Sequence, residues 1–213
     1  MTAAARRPEL AWQAQSLLLA YPGDEPASRL DLLRDVAAAA GPRVGGPLLR
    51  FLDYAASTAP DELAAEYVAT FDHRKRCCLF LTYYAYGDTR KRGMALLRLK
   101  NVYAAAGLRL TDDELPDHLA VMLEFAATAG PAAGRALLLE HRAGLELLRL
   151  ALHDIASPWA SVLDSVSATL PALRGEERRA VARLAAQGPP EEQVGLAPFA
   201  PPEYMPQPQG GTP

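Results

Sequence analysis

Ten prolines punctuate residues 1–187, at positions 8, 22, 26, 42, 47, 60, 116, 131, 158 and 171, and most stand where one helical pattern stops or another starts. Proline is tolerated in a helix's first turn, where its missing N–H has no partner to lose, and is costly further in. A chain cut at such intervals holds mostly short helices. The intervening stretches predict helices near 9–21, 27–40, 47–57, 61–72, 77–86, 89–106, 115–128, 132–156, 159–169 and 176–187. Leu63, Tyr67 and Phe71 fall on one stripe. Leu138, His141, Leu145, Leu148 and Leu152 follow the steps of a helix that buries one face. Composition agrees: 41 Ala and 34 Leu stand against 19 Val, Ile and Thr together. Alanine and leucine favour helix and β-branched residues favour strand, so the expected fold class is all-α.

The expected architecture is a single helical bundle of about ten helices in two lobes joined by a short hinge. The hinge is placed at 108–115: Gly107 supplies a C-cap signal, Thr111-Asp112-Asp113 is polar, and Pro116 opens a new helix. It separates an N-terminal lobe of about residues 1–107 from a C-terminal lobe of 116–187. Residues 188–213 hold eight prolines and four glycines, carry Glu191, Glu192 and Glu203, and have no Lys or Arg. That composition predicts a disordered acidic tail.

A net charge of −3 and a pI near 5.8 argue against a nucleic-acid partner. No apolar run is long enough to span a bilayer, so no stable membrane association is expected. Arg6-Arg7 is followed by a stretch broken by Glu9, Gln13 and Gln15, which lacks the apolar core of an export signal. The expected compartment is therefore the cytoplasm. Cys77 and Cys78 are adjacent and have neither disulfide nor zinc spacing. They read as small hydrophobes, and no metal site is expected.

Catalytic motifs are missing. Gly87 to Gly93 has the wrong spacing for a P-loop, and no nucleophile elbow or His-Glu-x-x-His pair occurs. Charge is more informative. Arg74 to Lys100 holds eight Lys/Arg and one acid, whereas Thr111 to Glu124 holds five acids and no Lys or Arg. Each run fits a solvated helix face, mutual pairing within the chain, or a partner of opposite charge. On a helix entered at Pro116, Asp117, Val121 and Glu124 share one face, and His118, Met122 and Phe125 line the next. An apolar strip beside carboxylates suits a basic amphipathic peptide, and ordinary core packing suits the same residues. Placed at a helix N-terminus, His118 should have a lowered pKa.

A series of motifs adds a resemblance. Glu66-Tyr67-Val68-Ala69-Thr70-Phe71-Asp72 is followed by Arg74-Lys75-Arg76, Leu81-Thr82-Tyr83-Tyr84, Gly87-Asp88-Thr89-Arg90 and Arg92-Gly93. Then come Glu114-Leu115-Pro116-Asp117-His118-Leu119 and Leu123-Glu124-Phe125. Together, over roughly residues 9–170, these resemble the NarJ-type nitrate reductase molybdenum cofactor assembly chaperones of the TorD/DmsD superfamily of redox-enzyme maturation proteins.

The resemblance implies a TorD-like, all-helical, cytoplasmic protein that is not an enzyme and holds no cofactor of its own. Its implied partner is the apo α subunit of respiratory nitrate reductase, bound through the N-terminal leader. The client would be held competent for molybdenum cofactor and iron–sulfur insertion before membrane assembly. The superfamily signature near the hinge maps onto Glu114, Pro116, Asp117 and His118, as Glu-x-Pro-Asp-His in place of Glu-Pro-x-Asp-His. An aromatic-x-x-Leu-Phe motif maps onto Tyr67 to Phe71, with Thr70 in place of leucine. With the flanking helix faces, the expected peptide-binding set is Glu114, Pro116, Asp117, His118, Val121, Met122, Glu124, Phe125, Tyr67 and Phe71. Two other readings stay open: an assembly or regulatory scaffold for another molybdoenzyme, and a small nucleotide-binding hydrolase using Gly87 to Gly93.

Overall fold

A computed structural model describes residues 8–23, 27–111 and 114–187. The expected tail at 188–213 lies outside these residues, as do Asp112 and Asp113 of the expected hinge. The first half of the bundle comprises α1 (Pro8–Leu19), α2 (Ala27–Ala40), α3 (Gly45–Ser57) and α4 (Pro60–Phe71). A 3-10 turn (Lys75–Cys77) then leads into α5 (Leu81–Tyr86) and α6 (Arg90–Ala105). After the linker come α7 (Leu119–Thr128), α8 (Pro131–Glu140), α9 (Arg142–Asp154), α10 (Ala160–Thr169) and α11 (Gly175–Gln187). Among the described residues there is no strand, only one antiparallel bridge between Phe80 and His118. The all-α expectation is met.

Local signals set several boundaries. Pro60 and Pro131 open α4 and α8 within the first turn, and Asp61 and Glu62 meet the positive end of α4. Gly107 closes α6 at φ +82°, with the Leu108 N–H donating to the Tyr103 carbonyl at 3.0 Å.

The core is built on α1. Its Ser16 hydroxyl donates to the Ala120 carbonyl of α7 at 2.8 Å, and Gln15 Nε2 donates to Ser165 Oγ of α10 at 2.7 Å. Trp12, Leu19, Leu48, Leu123, Leu145 and Trp159 are buried in one contiguous cluster. That cluster runs across the 108–115 linker, because α1 precedes the linker while α7 and α10 follow it.

Two predicted helices are broken. The stretch 132–156 divides at His141, whose ψ of +15° departs from helix, into α8 and α9. The apolar stripe is real, since Leu138, Leu145, Leu148 and Leu152 are all buried. The halves serve different neighbours. A Cβ at Gly134 would lie 2.4 Å from Ala126 Cα, so α8 sits directly on α7; one at Gly144 would lie 2.9 Å from Tyr84 Cβ, so α9 sits on α5. A straight helix would not meet both. The stretch 77–86 also divides: residues beyond Cys77 turn extended, and α5 begins only at Leu81.

Candidate functional site

The extended segment before α5 determines the geometry around Asp117. The Leu81 N–H donates to the Asp117 carbonyl, and the Leu119 N–H to the Leu79 carbonyl, each at 2.9 Å. These two bonds form the bridge that places Phe80 opposite His118. Asp117 therefore lies outside the helix, and α7 starts at Leu119 rather than near Pro116. His118 is the N-cap residue, its Nδ1 accepting the Ala120 N–H at 3.3 Å. The expected Asp117–Val121–Glu124 helical face does not form, because Asp117 is not helical.

Asp117 points inward and is 0% exposed. Its Oδ2 accepts the Thr82 hydroxyl and, at 3.4 Å, the Arg92 Nη2. Arg92 also donates from Nε to Thr82 Oγ1 at 3.3 Å and from Nη1 to Asp88 at 3.1 Å. The guanidinium lies 5.7 Å from the Phe80 ring centre, and Phe80 meets the His118 ring edge-on at 5.3 Å. Tyr103 fastens the preceding residue, its hydroxyl donating to the Pro116 carbonyl at 2.7 Å. The Gly-Asp-Thr-Arg and Pro-Asp-His blocks are thus one buried polar knot. The acidic and basic runs pair here within the chain, through Arg92 and Asp117. Because the segment 87–93 spends Arg92 in this way, that side chain is not presented to a phosphate.

Burial is the main cause that lowers the His118 pKa, while Asp117, Glu114 and Asp72 pull it upward. The lowering matches expectation, but desolvation leads where the helix terminus was expected to. Burial also raises the Cys77 and Cys78 thiols. Both cysteines are free. Among the described residues no cluster of His, Cys, Asp and Glu could hold a metal ion, and no helix is long and apolar enough to cross a membrane.

The ten expected peptide-binding residues separate by exposure. Glu114 and Glu124 are exposed, His118 and Val121 are half-buried, and Pro116, Asp117, Met122, Phe125, Tyr67 and Phe71 are buried. Met122 and Phe125 belong to the core, Phe125 tilting against Tyr103 at 4.5 Å. Tyr67 and Phe71 sit in a separate aromatic cluster with Trp159 and Phe51; Tyr67 lies 4.7 Å from Phe71 and 5.6 Å from Trp159. The Tyr67 hydroxyl donates to the Leu19 carbonyl at 2.9 Å.

Above this cluster opens a small apolar cleft of about 120 Å³, lined among others by Leu17, Tyr21, Leu30, Leu63 and Trp159. Tyr21 is 60% exposed and touches Tyr67 edge-on at 5.5 Å. Sequence reasoning missed Tyr21, Leu30 and Trp159. The signal available was the Leu63–Tyr67–Phe71 stripe, which runs from the cleft down into the core. The cleft adjoins the start of α7, because Ser16 bonds Ala120 and the next residue, Leu17, lines the cleft.

Comparison with known proteins follows the same outline. The family model described as nitrate reductase delta subunit matches residues 38–164. The Bacillus subtilis protein named probable nitrate reductase molybdenum cofactor assembly chaperone NarJ is 36% identical over 163 residues, covering 76% of this chain and 89% of that one. The nitrate reductase-like protein NarX of Mycobacterium tuberculosis is 36% identical over 162 residues, covering 76% of this chain and 24% of that protein. In fold, the chain resembles a crystal structure from Archaeoglobus fulgidus described as a redox enzyme maturation protein. The TM-score is 0.56 at 19% identity, over 87% of this chain and 98% of that one. The knot of Asp117, Thr82 and Arg92 lies inside the matched segment, and the chain belongs to the nitrate reductase delta subunit family, alongside the NarJ assembly chaperones.

Proposed function

We propose that this protein is a cytoplasmic, non-enzymatic chaperone for nitrate reductase. It binds the apo α subunit through its leader and keeps that subunit open to molybdenum cofactor and iron–sulfur insertion before membrane assembly. The observation that carries this reading is the 36% identity to the Bacillus subtilis chaperone across 89% of that protein's length.

The geometry suggests a division of labour. Glu114 and Glu124 are the accessible carboxylates flanking the start of α7, and they meet basic residues of the leader. Their effect is on encounter rate and specificity more than on affinity. Affinity comes from apolar side chains seated in the Tyr21–Leu63–Trp159 cleft, which must outweigh the entropy of ordering the leader. Asp117, Pro116, Met122 and Phe125 act from beneath, by holding the α7 entrance in shape.

Calorimetric titration with a synthetic α-subunit leader tests the proposal. Saturable binding is expected, weakened by Glu114→Lys and by Tyr21→Ala. Absence of binding at high micromolar leader would overturn it. In cells blocked in molybdopterin synthesis, the immature α subunit is expected to accumulate on the tagged chaperone.

A further inference from the structure

A second polar feature lies away from the α7 entrance. A cavity of about 370 Å³ opens between α9, α10, α11 and the loop before α3, within the size range of small-molecule sites. Its lining includes Arg43, Arg142, Arg149 and Arg178 with Glu146 and Asp164. Four guanidinium groups thus face two carboxylates.

Both carboxylates are already committed. Glu146 accepts from Arg149 Nε at 2.8 Å and from Ser167 Oγ at 2.7 Å, and pairs with Arg142 Nη2 at 2.8 Å. Asp164 accepts from Arg149 Nη1 at 3.0 Å and lies 2.9 Å from His153 Nε2. Arg43 and Arg178 are exposed and form no ion pair with any described residue.

The decisive group is Arg142. Its side chain is only 6% exposed, yet Nε and Nη1 have no hydrogen-bond partner. Only Nη2 is occupied, by Glu146 and by Ser167 Oγ at 2.9 Å. A buried cation whose donors are stripped of water and left unpaired is costly, and native structures rarely leave one so without a ligand or a bound solvent molecule. Excess positive charge, two exposed arginines at the rim and an unsatisfied one at the base match a multiply charged oxyanion. Arginine's donor fork suits phosphate better than a monovalent ion.

We propose that this cavity binds a small molecule through a phosphate or diphosphate group, with Arg142 at the base and Arg43 and Arg178 closing over it. The ligand would tie α11 and the loop before α3 to the α9–α10 pair. The proposal stands independently of the leader site.

The test is calorimetry on the full chain with pyrophosphate, inorganic phosphate and, at matched ionic strength, sodium chloride. Saturable heat with pyrophosphate or phosphate is expected, with none from chloride. Tighter binding of pyrophosphate assigns a diphosphate-bearing ligand; equal affinity assigns a single phosphate. Both rim arginines are exposed, so the Arg43→Ala/Arg178→Ala double variant should fold. Its affinity should fall about tenfold or more, as loss of charge-assisted bonds predicts. Arg142→Gln should abolish binding. No saturable heat at millimolar pyrophosphate, an equal response to chloride, or unchanged affinity in the double variant would overturn the proposal.

Discussion

Arg92 Nη2 lies 3.4 Å from Asp117 Oδ2, and the aspartate it neutralises is wholly removed from solvent. Twenty-five residues separate the two, and their contact joins the start of α6 to the segment that enters α7. Removing one member of a buried pair leaves the other charge uncompensated, at a cost of about 3–5 kcal/mol. Asp117→Ala is expected to lower stability by an amount of that order, read from urea denaturation. A weakened leader affinity in this variant would then reflect a distorted α7 entrance, whereas Glu124→Lys should weaken leader binding at an unchanged urea midpoint.

The two surface carboxylates should also show in the salt dependence. Screening lengths fall to about 10 Å at 0.1 M salt. If Glu114 and Glu124 steer a basic leader, its association rate should drop with added salt in the native protein. In the Glu114→Lys/Glu124→Lys variant the rate should be slower and should no longer decline with salt. Stopped-flow fluorescence with a labelled leader measures both.

Two glycines make a matched pair. A Cβ at Gly134 would meet Ala126 backbone at 2.4 Å, while one at Gly93, within α6, would meet nothing within 4 Å. Gly134→Ala should cost about 1–3 kcal/mol by overpacking the α7–α8 contact. Gly93→Ala should stabilise by about 0.5–1 kcal/mol, because alanine loses less backbone entropy in a helix. Thermal denaturation of both variants reads the opposite signs.

Burial lowers the pKa of His118 and of His141 below the ordinary histidine value of 6.5. In the window between each folded pKa and 6.5 the unfolded chain binds more protons than the folded one, so stability rises with pH there. Their contribution is complete above the unfolded value and declines as pH falls towards the folded values. Protonating His118 would also remove the Nδ1 acceptor that caps α7. His118→Gln should flatten part of this acid slope, measured as the urea midpoint against pH from neutrality downward.

In the aromatic cluster, Tyr67→Phe removes only the bond to the Leu19 carbonyl, for a loss of about 1 kcal/mol. Trp159→Ala removes a core ring packed against Phe51, Tyr67 and Phe71 and should cost about 3–5 kcal/mol.

Sequence alone determined what depends on neighbouring residues. Proline in a first turn, glycine after a last one and a repeat of apolar side chains placed α4, the end of α6 and the buried stripe through Leu145 and Leu152, and with them the all-α class. The motif blocks around Thr82, Arg92 and Asp117 were legible as a set. Their arrangement was not. Asp117 leaves its helix because residues 79–81, far away in the chain, offer backbone partners that a helix would have supplied locally. The stripe through His141 bends because Gly134 and Gly144 each press against a different helix. The unpaired donors of Arg142 have no signature in the sequence, since only packing decides which nitrogens of a buried guanidinium find a partner. Local periodicity reports the conformation each segment prefers; tertiary contact decides which preference survives and which polar groups are left wanting a partner.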